Sequence, residues 1–390
     1  MAEKICRHEE CTGCALCETV CPESCISMKE GRLGHPYPEM DTLSCIDCGL
    51  CSAICPANVF GRSRAGDAGQ DELFRSPAAA FAAWAKDPSE YVSSTSGGAA
   101  SVLSRHFLSQ GGAVYGSAVI PSGTDGRSCR FSVRHIRIEN ESGIPRLKGS
   151  KYVQSSISGI LPQCRKDVRS GKPVLFIGTP CQTAALRCMF RKRPENLFLV
   201  DIVCHGVPSL ALLKDYINGY MHISPSEVTG LSFRDERGFS MTVSDSHGIH
   251  RLPPLTGRRT EGLYYNLFMD GFTYRESCYS CIYAGIRRVS DMTIGDFWGL
   301  GKDVPEHPYG VSLIMPVTSK GKELIPVLKE GMHMYERSLD EASAGNAQLC
   351  HPKHKSLRIK LFRCIEPILG LRSYYLLTAD WILKKRIKSR

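Results

Sequence analysis

The chain has 390 residues, 42% of them hydrophobic, with 49 Lys and Arg against 39 Asp and Glu and a formal net charge of +10. That length predicts two or three folded units with sizeable cores. No uncharged apolar run reaches the roughly 18–20 residues of a membrane span, and the first residues, MAEKICRHEE, lack the apolar stretch of a signal peptide. These features exclude a membrane-spanning class, and we expect a cytoplasmic protein.

The 19 cysteines and the uneven charge are the most informative parts of the composition. In a reducing compartment, cysteines are expected to bind metals or redox cofactors rather than to form disulfides. Residues 1–60 carry four basic and nine acidic side chains (−5), whereas residues 351–390 carry eleven basic and two acidic ones (+9). A basic body favours anionic partners such as nucleotide cofactors or acidic redox proteins, and a solvated surface is an equally good interpretation.

Two copies of the spacing C-x2-C-x2-C-x3-C-P lie in the first sixty residues, as CTGCALCETVCP and CIDCGLCSAICP. Bacterial ferredoxins bind two [4Fe–4S] clusters with this spacing, three cysteines of one copy joining the fourth cysteine of the other. Zinc knuckles use separated pairs and match poorly. Residues 1–60 are therefore predicted to form a small α+β ferredoxin-like domain. Its first cluster is assigned to Cys11, Cys14, Cys17 and Cys55, and its second to Cys45, Cys48, Cys51 and Cys21, while Cys6 and Cys25 fit no ligand position and are interpreted as ordinary small residues.

The rest of the chain divides into a connector, a large domain and a basic extension. Residues 61–90 are predicted to connect, with a helix beginning at Ser76 (SPAAAFAAWAK). Helix and strand patterns alternate over residues 91–350, which predicts an α/β domain with a largely parallel sheet. Residues 351–390 permit a helix with Tyr374, Leu377 and Trp381 on one side, for which packing on the body or docking a partner is a simpler interpretation than contact with lipid.

Three turns at predicted strand ends carry residues suited to binding a ligand. Ser93–Gly98 (SSTSGG) combines hydroxyls with a helix N-terminus, which suits a phosphate. The turn of residues 148–155 (KGSKYVQS) adds two lysines beside Ser150. The turn GTPCQ places Cys181 at the start of a helix, where the helix dipole favours a thiolate. Each pattern also occurs in ordinary turns, and neither GxGxxG nor a P-loop is present.

Cys278 and Cys281 form a lone C-x-x-C pair that fits half of a zinc site, a dithiol redox pair or half of an iron–sulfur site. Cys181 and Cys204 follow neighbouring predicted strands and should lie at the same sheet edge. These two pairs together supply four ligands. We therefore predict a third [4Fe–4S] cluster on Cys181, Cys204, Cys278 and Cys281, with zinc or free buried thiols as the alternatives.

Six ordered motifs resemble those of one known family: SSTSGG, GSKYVQS, GTPCQ, CHGVPS, SFRDERG and CYSCIYAGIRRVSDMTIGDFWG. In that order they are similar to the coenzyme F420 hydrogenase/dehydrogenase beta-subunit family, over roughly residues 75–320, with a ferredoxin-type domain in front. The resemblance implies a flavoprotein that binds FAD close to its iron–sulfur clusters. It also implies hydride exchange with coenzyme F420 or with another small-molecule donor or acceptor.

The resemblance suggests which residues contact the flavin. His205 is either a proton donor or a hydrogen-bonded structural residue, and Arg287 and Arg288 either meet an anionic substrate or stay on the surface. Asp296 either binds a ribose hydroxyl or caps a turn. The other cofactor-binding assignments are Ser96, Gly97, Gly98, Lys148, Ser150 and Lys151 at the FAD phosphates, and Thr179 and Gln182 near the isoalloxazine ring.

The leading functional interpretation is an FAD and iron–sulfur oxidoreductase, and two alternatives stay open. One is a non-catalytic electron-transfer subunit that docks a catalytic partner, and the other is a reductase of an organic substrate that receives electrons from ferredoxin. A redox partner protein is expected in each case. Nucleic-acid binding is not expected, because the positive residues lack interleaved aromatics or a known reader fold.

Overall fold

A computed structural model describes residues 5–64, 73–123, 130–190, 192–234, 240–251 and 262–378. Its N-terminal part is a small α+β unit. Strands β1 (Ile26–Glu30) and β2 (Pro36–Met40) pair antiparallel, with Ile26 opposite Met40 and Glu30 opposite Pro36. Helices α1 (Leu16–Val20), α2 (Leu50–Ala53) and α3 (Pro56–Arg64) follow the cysteine-rich loops.

Two sheets contain the remaining strands of the described residues. These strands are β3 (Ala80–Ala85), β4 (Ala113–Ile120), β5 (Ser132–Ile138), β6 (Val174–Gly178), β7 (Leu197–Ile202), β8 (Gly230–Ser232), β9 (Thr242–Asp245), β10 (Gly248–Arg251), β11 (Met292–Asp296), β12 (Ser312–Pro316) and β13 (Met332–Arg337). An eight-stranded sheet forms the centre of the protein, in the order β13-β3-β12-β11-β7-β6-β4-β5, and a separate three-stranded sheet has the order β10-β9-β8.

The large sheet is mixed, so the prediction of a largely parallel sheet is wrong. Among its described strands, the pairs that run parallel are β4 with β6, β6 with β7 and β7 with β11. Strand β5 pairs antiparallel with β4, and β12 pairs antiparallel with both β11 and β3. Antiparallel neighbours need no helical crossover. Strand direction therefore depends on tertiary pairing, which the local alternation of patterns did not reveal.

The segment predicted to be a helix from Ser76 is instead strand β3. All six of its residues, AFAAWA, are buried. It lies between β12 and β13 and pairs antiparallel with both. Alanine favours helices in isolation, but a strand inside a sheet can be hydrophobic throughout because both of its faces are covered. Here the pairing with two neighbouring strands overrides the local preference.

Helices pack on the sheet and on the small sheet beside it. They are α4 (Pro88–Val92), α5 (Ala99–Ser109), α6 (Ile144–Leu147), α7 (Leu161–Arg169), α8 (Pro180–Met189), α9 (Leu210–Met221), α10 (Leu263–Met269), α11 (Ser319–Glu323), α12 (Ile325–Gly331), α13 (Leu339–Ala344), α14 (Leu357–Leu369) and α15 (Ser373–Thr378). Short 3-10 helices occur at His8–Glu10, Arg32–Gly34, Glu141–Gly143, Ser158–Ile160, Glu276–Cys278, Ala347–Leu349 and Gly370–Arg372.

The N-terminal unit and the described part of the extension both pack on the body. Leu16 of α1 is fully buried in a core cluster that includes Leu161 and Phe176 from the large sheet and its helices. Tyr374 of α15 is buried in another cluster, and its hydroxyl donates to Asp270 over 2.7 Å. The part of the extension that includes Trp381 lies outside the described residues. Of the helices in the described ranges, none combines the length and the apolar character needed to cross a membrane.

Candidate redox site

The two cysteine repeats adopt the same backbone conformation. In the first copy Gly13 and Ala15 have φ values of +67° and +59°, and in the second copy Asp47 and Gly49 have +50° and +69°. These residues lie two and four positions after Cys11 and Cys45, respectively. A left-handed backbone conformation is rare for residues other than glycine. The internal repeat of the sequence is therefore also a repeat of local structure.

The four cysteines assigned to the first cluster lie together beside the body of the protein. The thiols of Cys14 and Cys17 each interact electrostatically with those of Cys11 and Cys55. Burial is the main cause that raises the pKa of Cys17 to about 12, and the neighbouring thiols add to it. Cys14 also packs against the core that contains Leu16. This arrangement matches the predicted set of one cysteine from the second repeat and three from the first.

The four cysteines assigned to the second cluster line one pocket within the N-terminal unit. Its other lining residues are Pro22, Glu23, Cys25, Ile26, Met40, Ile46, Gly49 and Leu50, and Cys48 is exposed. Leu43 is 96% exposed and Ile46 is 62% exposed beside this set. The second set of Cys45, Cys48, Cys51 and Cys21 therefore faces solvent, whereas the first faces the body.

Sequence reasoning gave no role to Cys6 and Cys25, yet both contact the predicted ligands. The Sγ atoms of Cys25 and Cys21 are 3.3 Å apart. Cys6 is buried and hydrogen-bonds to the thiols of Cys11 and Cys55, which lowers the pKa of both of them. Each of the two predicted ligand sets thus has one additional thiol beside it, Cys6 at the first and Cys25 at the second, and only their position in the folded chain reveals this.

The four cysteines assigned to the third cluster also converge. Strands β6 and β7 are aligned so that Gly178 is opposite Asp201, and Cys181 and Cys204 each lie three residues further on. Each of the six pairs among Cys181, Cys204, Cys278 and Cys281 interacts electrostatically. Burial raises the pKa of Cys181 to about 11, which is opposite in direction to the effect expected from its place at a helix start. Cluster binding by these four residues stays a prediction.

The donor atoms fit iron–sulfur clusters by their chemistry. Each of the three sets consists of four thiols, which is the ligand set of a [4Fe–4S] cluster. Over the described residues, no group of three or more His, Cys, Asp or Glu side chains has the geometry that holds a single metal ion. A cubane cluster differs from a single ion in that each thiolate binds a different iron atom at a corner of the cluster.

The turn Ser93–Gly98 lies against strand β3 at the start of α5. The Oγ of Ser96 donates to the carbonyl of Val311 over 2.8 Å. A Cβ atom on Gly97 would lie 2.0 Å from the carbonyl oxygen of Ala83, so only glycine fits there. Gly98 has φ +92° and provides no side-chain cap for the helix that begins after it, and the first backbone N–H of that helix, at Ala99, donates to Ser312 Oγ over 3.5 Å. The N-terminus of a helix suits a phosphate because the helix dipole favours negative charge there.

The two lysines of the second turn have different surroundings. Lys148 forms an ion pair with buried Glu90, with Nζ 2.8 Å from Oε1. Lys151 Nζ donates to the carbonyls of Leu147 and Lys148 over 2.9 and 2.8 Å. In the part of the chain that the structure describes, no carboxylate lies within 4.0 Å of Lys151 Nζ, and burial lowers its pKa to about 7. Lys151 is thus a partly buried cation without an anionic partner among those residues.

Thr179 and Gln182 stabilise their own turn. They form a capping box in which the backbone N–H of Thr179 donates to Gln182 Oε1 over 2.9 Å. Gln182 Nε2 donates to the carbonyl of Ser155, and Thr179 Oγ1 lies 3.1 Å from Cys181 Sγ. These contacts join the predicted flavin turns to the third cysteine set, and contact of either residue with a flavin stays a prediction.

Arg234 joins three of the predicted motifs, and sequence reasoning did not identify it individually. Its Nε donates to the hydroxyl of Tyr152 over 2.6 Å, and its Nη1 donates to the carbonyl of Thr95 over 2.9 Å. Its Nη2 pairs with Asp296 over 2.6 Å. Asp296 therefore belongs to an ion pair that holds two turns at the end of β11. The motif SFRDERG contained the relevant signal, although residues 235–239 lie outside the described part of the chain.

The remaining candidates have structural partners. Arg288 is 3% exposed and pairs with Asp201 over 2.8 Å, so the expectation that it stays on the surface is wrong, and its contact with a substrate stays a prediction. Arg287 is exposed and donates to the carbonyl of Phe74. His205 Nδ1 is 2.7 Å from Gln348 Nε2, and burial lowers the pKa of the histidine.

Comparisons with known proteins locate two regions of similarity. Residues 171–342 match the family described as the C terminus of the coenzyme F420 hydrogenase/dehydrogenase beta subunit, and residues 10–59 match the 4Fe-4S dicluster domain. No curated protein matches this chain. A solved chain of the F420-reducing [NiFe] hydrogenase complex from Methanosarcina barkeri, studied by xenon derivatization, is 16% identical. The match covers 72% of this chain and 91% of that chain with a TM-score of 0.46.

Proposed function

From the match of residues 171–342 to the coenzyme F420 hydrogenase/dehydrogenase beta-subunit family and of residues 10–59 to the 4Fe-4S dicluster domain, we propose that this chain is an iron–sulfur flavoprotein oxidoreductase. In this proposal, a hydride is exchanged between FAD and a small molecule, with coenzyme F420 as the first candidate. Single electrons pass through [4Fe–4S] clusters on the three cysteine sets. A bound flavin supplies the conversion between two-electron and one-electron transfer, and the protein supplies position and electrostatics.

The observation that carries the proposal is the continuity of the three cysteine sets. Cys17 of the first set interacts electrostatically with Cys51 of the second. Buried Tyr283 interacts with Cys14 of the first set and with Cys181 and Cys281 of the third. The sets thus form a series from the solvent-facing pocket to the edge of the large sheet. Such a series supports a chain of one-electron carriers that ends beside the predicted flavin turns.

Lys151 and the start of α5 support an anionic cofactor at those turns. A buried charge is costly unless an opposite charge pairs with it. The phosphates of FAD would supply that charge to Lys151, and Ser150 lies next to it in the chain. The N-terminus of α5, which begins directly after Gly98, would favour the same phosphates through the helix dipole. Arg234 holds Thr95 and Tyr152 in place, which orients both turns before any cofactor binds.

A second candidate function is electron transfer to a docked catalytic partner without hydride chemistry. The exposed side chains of Leu43 and Ile46 beside the second cysteine set favour it, because exposed apolar groups around a redox centre suit a transient protein interface. This candidate predicts clusters but no turnover of a hydride donor by the isolated chain.

The deciding experiment mixes the anaerobically purified, FAD-loaded protein with reduced F420 and follows the flavin absorbance. Bleaching would establish exchange with F420. A flavin that dithionite reduces and reduced F420 does not would point to another donor, and a chain that binds no flavin would refute the proposal. Iron analysis accompanies it, with about twelve irons per chain expected for three clusters of four. Cys278→Ala should lower that value by about four, and Cys364→Ala, at an exposed cysteine, should not change it.

A further inference from the structure

A buried arginine connects the first cysteine set to the body. Arg275 is 1% exposed and lies three residues before Cys278. Its Nε donates to the carbonyl of Cys11 over 2.6 Å, and its Nη2 donates to the carbonyl of Pro36 over 2.8 Å. The centre of its guanidinium lies 4.1 Å from the centroid of the Tyr37 ring. Most of its contacts are therefore with the N-terminal unit, although it belongs to the chain segment that leads into the third set.

The same guanidinium reaches a predicted cluster ligand directly. Arg275 Nη2 donates to Cys11 Sγ over 3.4 Å, within the range for a hydrogen bond to sulfur. Its positive charge also favours the thiolate of Cys181 in the third set. No carboxylate of the described residues forms an ion pair with Arg275. Since burial of an unpaired charge is unfavourable, the negative charge of the thiolates is the counter-charge available to it.

The loop around the first repeat is shaped to accept this side chain. Gly13 has φ +67°, and a Cβ atom there would lie 2.6 Å from Arg275 Nη1. Gln154 Nε2 donates to the carbonyl of Thr12 over 3.0 Å, and its Oε1 accepts from Arg275 Nη1 over 3.4 Å. Main-chain carbonyls and Gln154 thus hold the guanidinium beside Cys11. The lack of a Cβ atom on Gly13 leaves the space that the guanidinium occupies.

We propose that Arg275 is a positioning residue that raises the reduction potential of the first cluster and holds that cluster against the body. The inference rests on the proposed function, because it requires a cluster on Cys11, Cys14, Cys17 and Cys55. Reduction adds one electron from a donor and no proton, so the negative charge of the cluster and its thiolates increases by one. A fixed cation that donates to a ligand sulfur stabilises the more negative state, since charge and hydrogen bonds to sulfur set cluster potentials.

The test is an anaerobic redox titration with dithionite as reductant, followed by electron paramagnetic resonance, on the wild-type protein and on Arg275→Gln. In the variant, the reduction potential of one cluster should be lower by at least about 59 mV. This shift corresponds to a tenfold change in the one-electron equilibrium constant. Arg275→Lys should show a smaller decrease. The signal of the second set should stay in place, because its pocket does not include Arg275.

Arg363→Lys is the matched control. Arg363 is 4% exposed in its side chain and donates to the carbonyl of Tyr274, the residue before Arg275. It also accepts a hydrogen bond from Arg32 of the N-terminal unit through its own carbonyl. It shares the interface but not the contact with Cys11, so its variant should keep wild-type potentials.

Three outcomes are separable. Unchanged potentials in Arg275→Gln with full iron content would overturn the inference. If Arg275→Gln loses about four irons, Arg275→Lys decides: a retained cluster at a lowered potential supports the inference, and a wild-type potential overturns it. If the wild-type protein itself binds no cluster at the first set, the proposed function fails, which iron analysis shows independently of any potential.

Discussion

His35 should make folding of this protein sensitive to mild acid. Its ring is fully buried between the N-terminal unit and the body, with Nδ1 3.4 Å from Gln154 Oε1 and Nε2 3.2 Å from the carbonyl of Thr273. Burial first, and then the positive charge of Arg275, lower the pKa of His35 from 6.5 to about 3, although the two oxygen neighbours oppose this shift. The folded protein therefore holds a neutral histidine at this interface.

The magnitude follows from proton linkage. The folded-state pKa is lower than the unfolded one, so the unfolded chain binds more protons below pH 6.5. Stability from the neutral ring is fully present above pH 6.5, and it decreases by about 1.4 kcal/mol per pH unit between pH 6.5 and about pH 3. At pH 5 the loss from His35 amounts to about 2 kcal/mol relative to pH 8.

The assay compares urea unfolding of the wild-type protein and His35→Gln at pH 8 and pH 5 under anaerobic conditions. The decrease in unfolding free energy from pH 8 to pH 5 should be about 2 kcal/mol smaller in the variant. Acid effects on other groups, including the clusters, are common to both proteins and cancel in this difference. His247→Gln, at an exposed histidine, should retain the wild-type decrease. An equal decrease in wild type and His35→Gln would refute the reasoning.

Three further predictions concern the flavin turns and the exposed cysteine set. Gly97→Ala should destabilise the fold by more than about 3 kcal/mol, as measured by thermal unfolding, because its Cβ atom would lie 2.0 Å from the carbonyl oxygen of Ala83. Gly159→Ala is the control and should have almost no effect on stability, because open space surrounds that position. FAD affinity for the apoprotein, measured by fluorescence, should decrease as pH rises above 7, since Lys151 then loses the proton that a phosphate favours; equal affinities at pH 6.5 and 8.5 would contradict this. Ile46→Glu should slow reduction by a ferredoxin-type protein and leave reduction by dithionite unchanged, and equal slowing of both would argue against a docking role.

Local spacing in the sequence was sufficient to group the cysteines of the two repeats, and cluster binding by them stays a prediction. The two repeats are short enough that each motif determines its own loop, and the structure shows the same pair of left-handed residues in both. The convergence of Cys181 and Cys204 also followed from the sequence, because residues at the carboxyl ends of adjacent parallel strands meet at one edge. For these features, the information lies within a few residues or in a simple rule of sheet geometry.

Other features depended on contacts between distant parts of the chain. The composition of strand β3 favours a helix, and the segment is extended because it pairs with a strand on each side. The sulfur contact between Arg275 and Cys11 joins residues 264 positions apart, and the partners of Arg234 come from separate segments, so no local pattern could assign either arginine. A buried charge takes its role from the groups that surround it after folding. The sequence by itself therefore determined how the cysteines group by spacing and strand order, and only the tertiary structure decided which charges lie beside them.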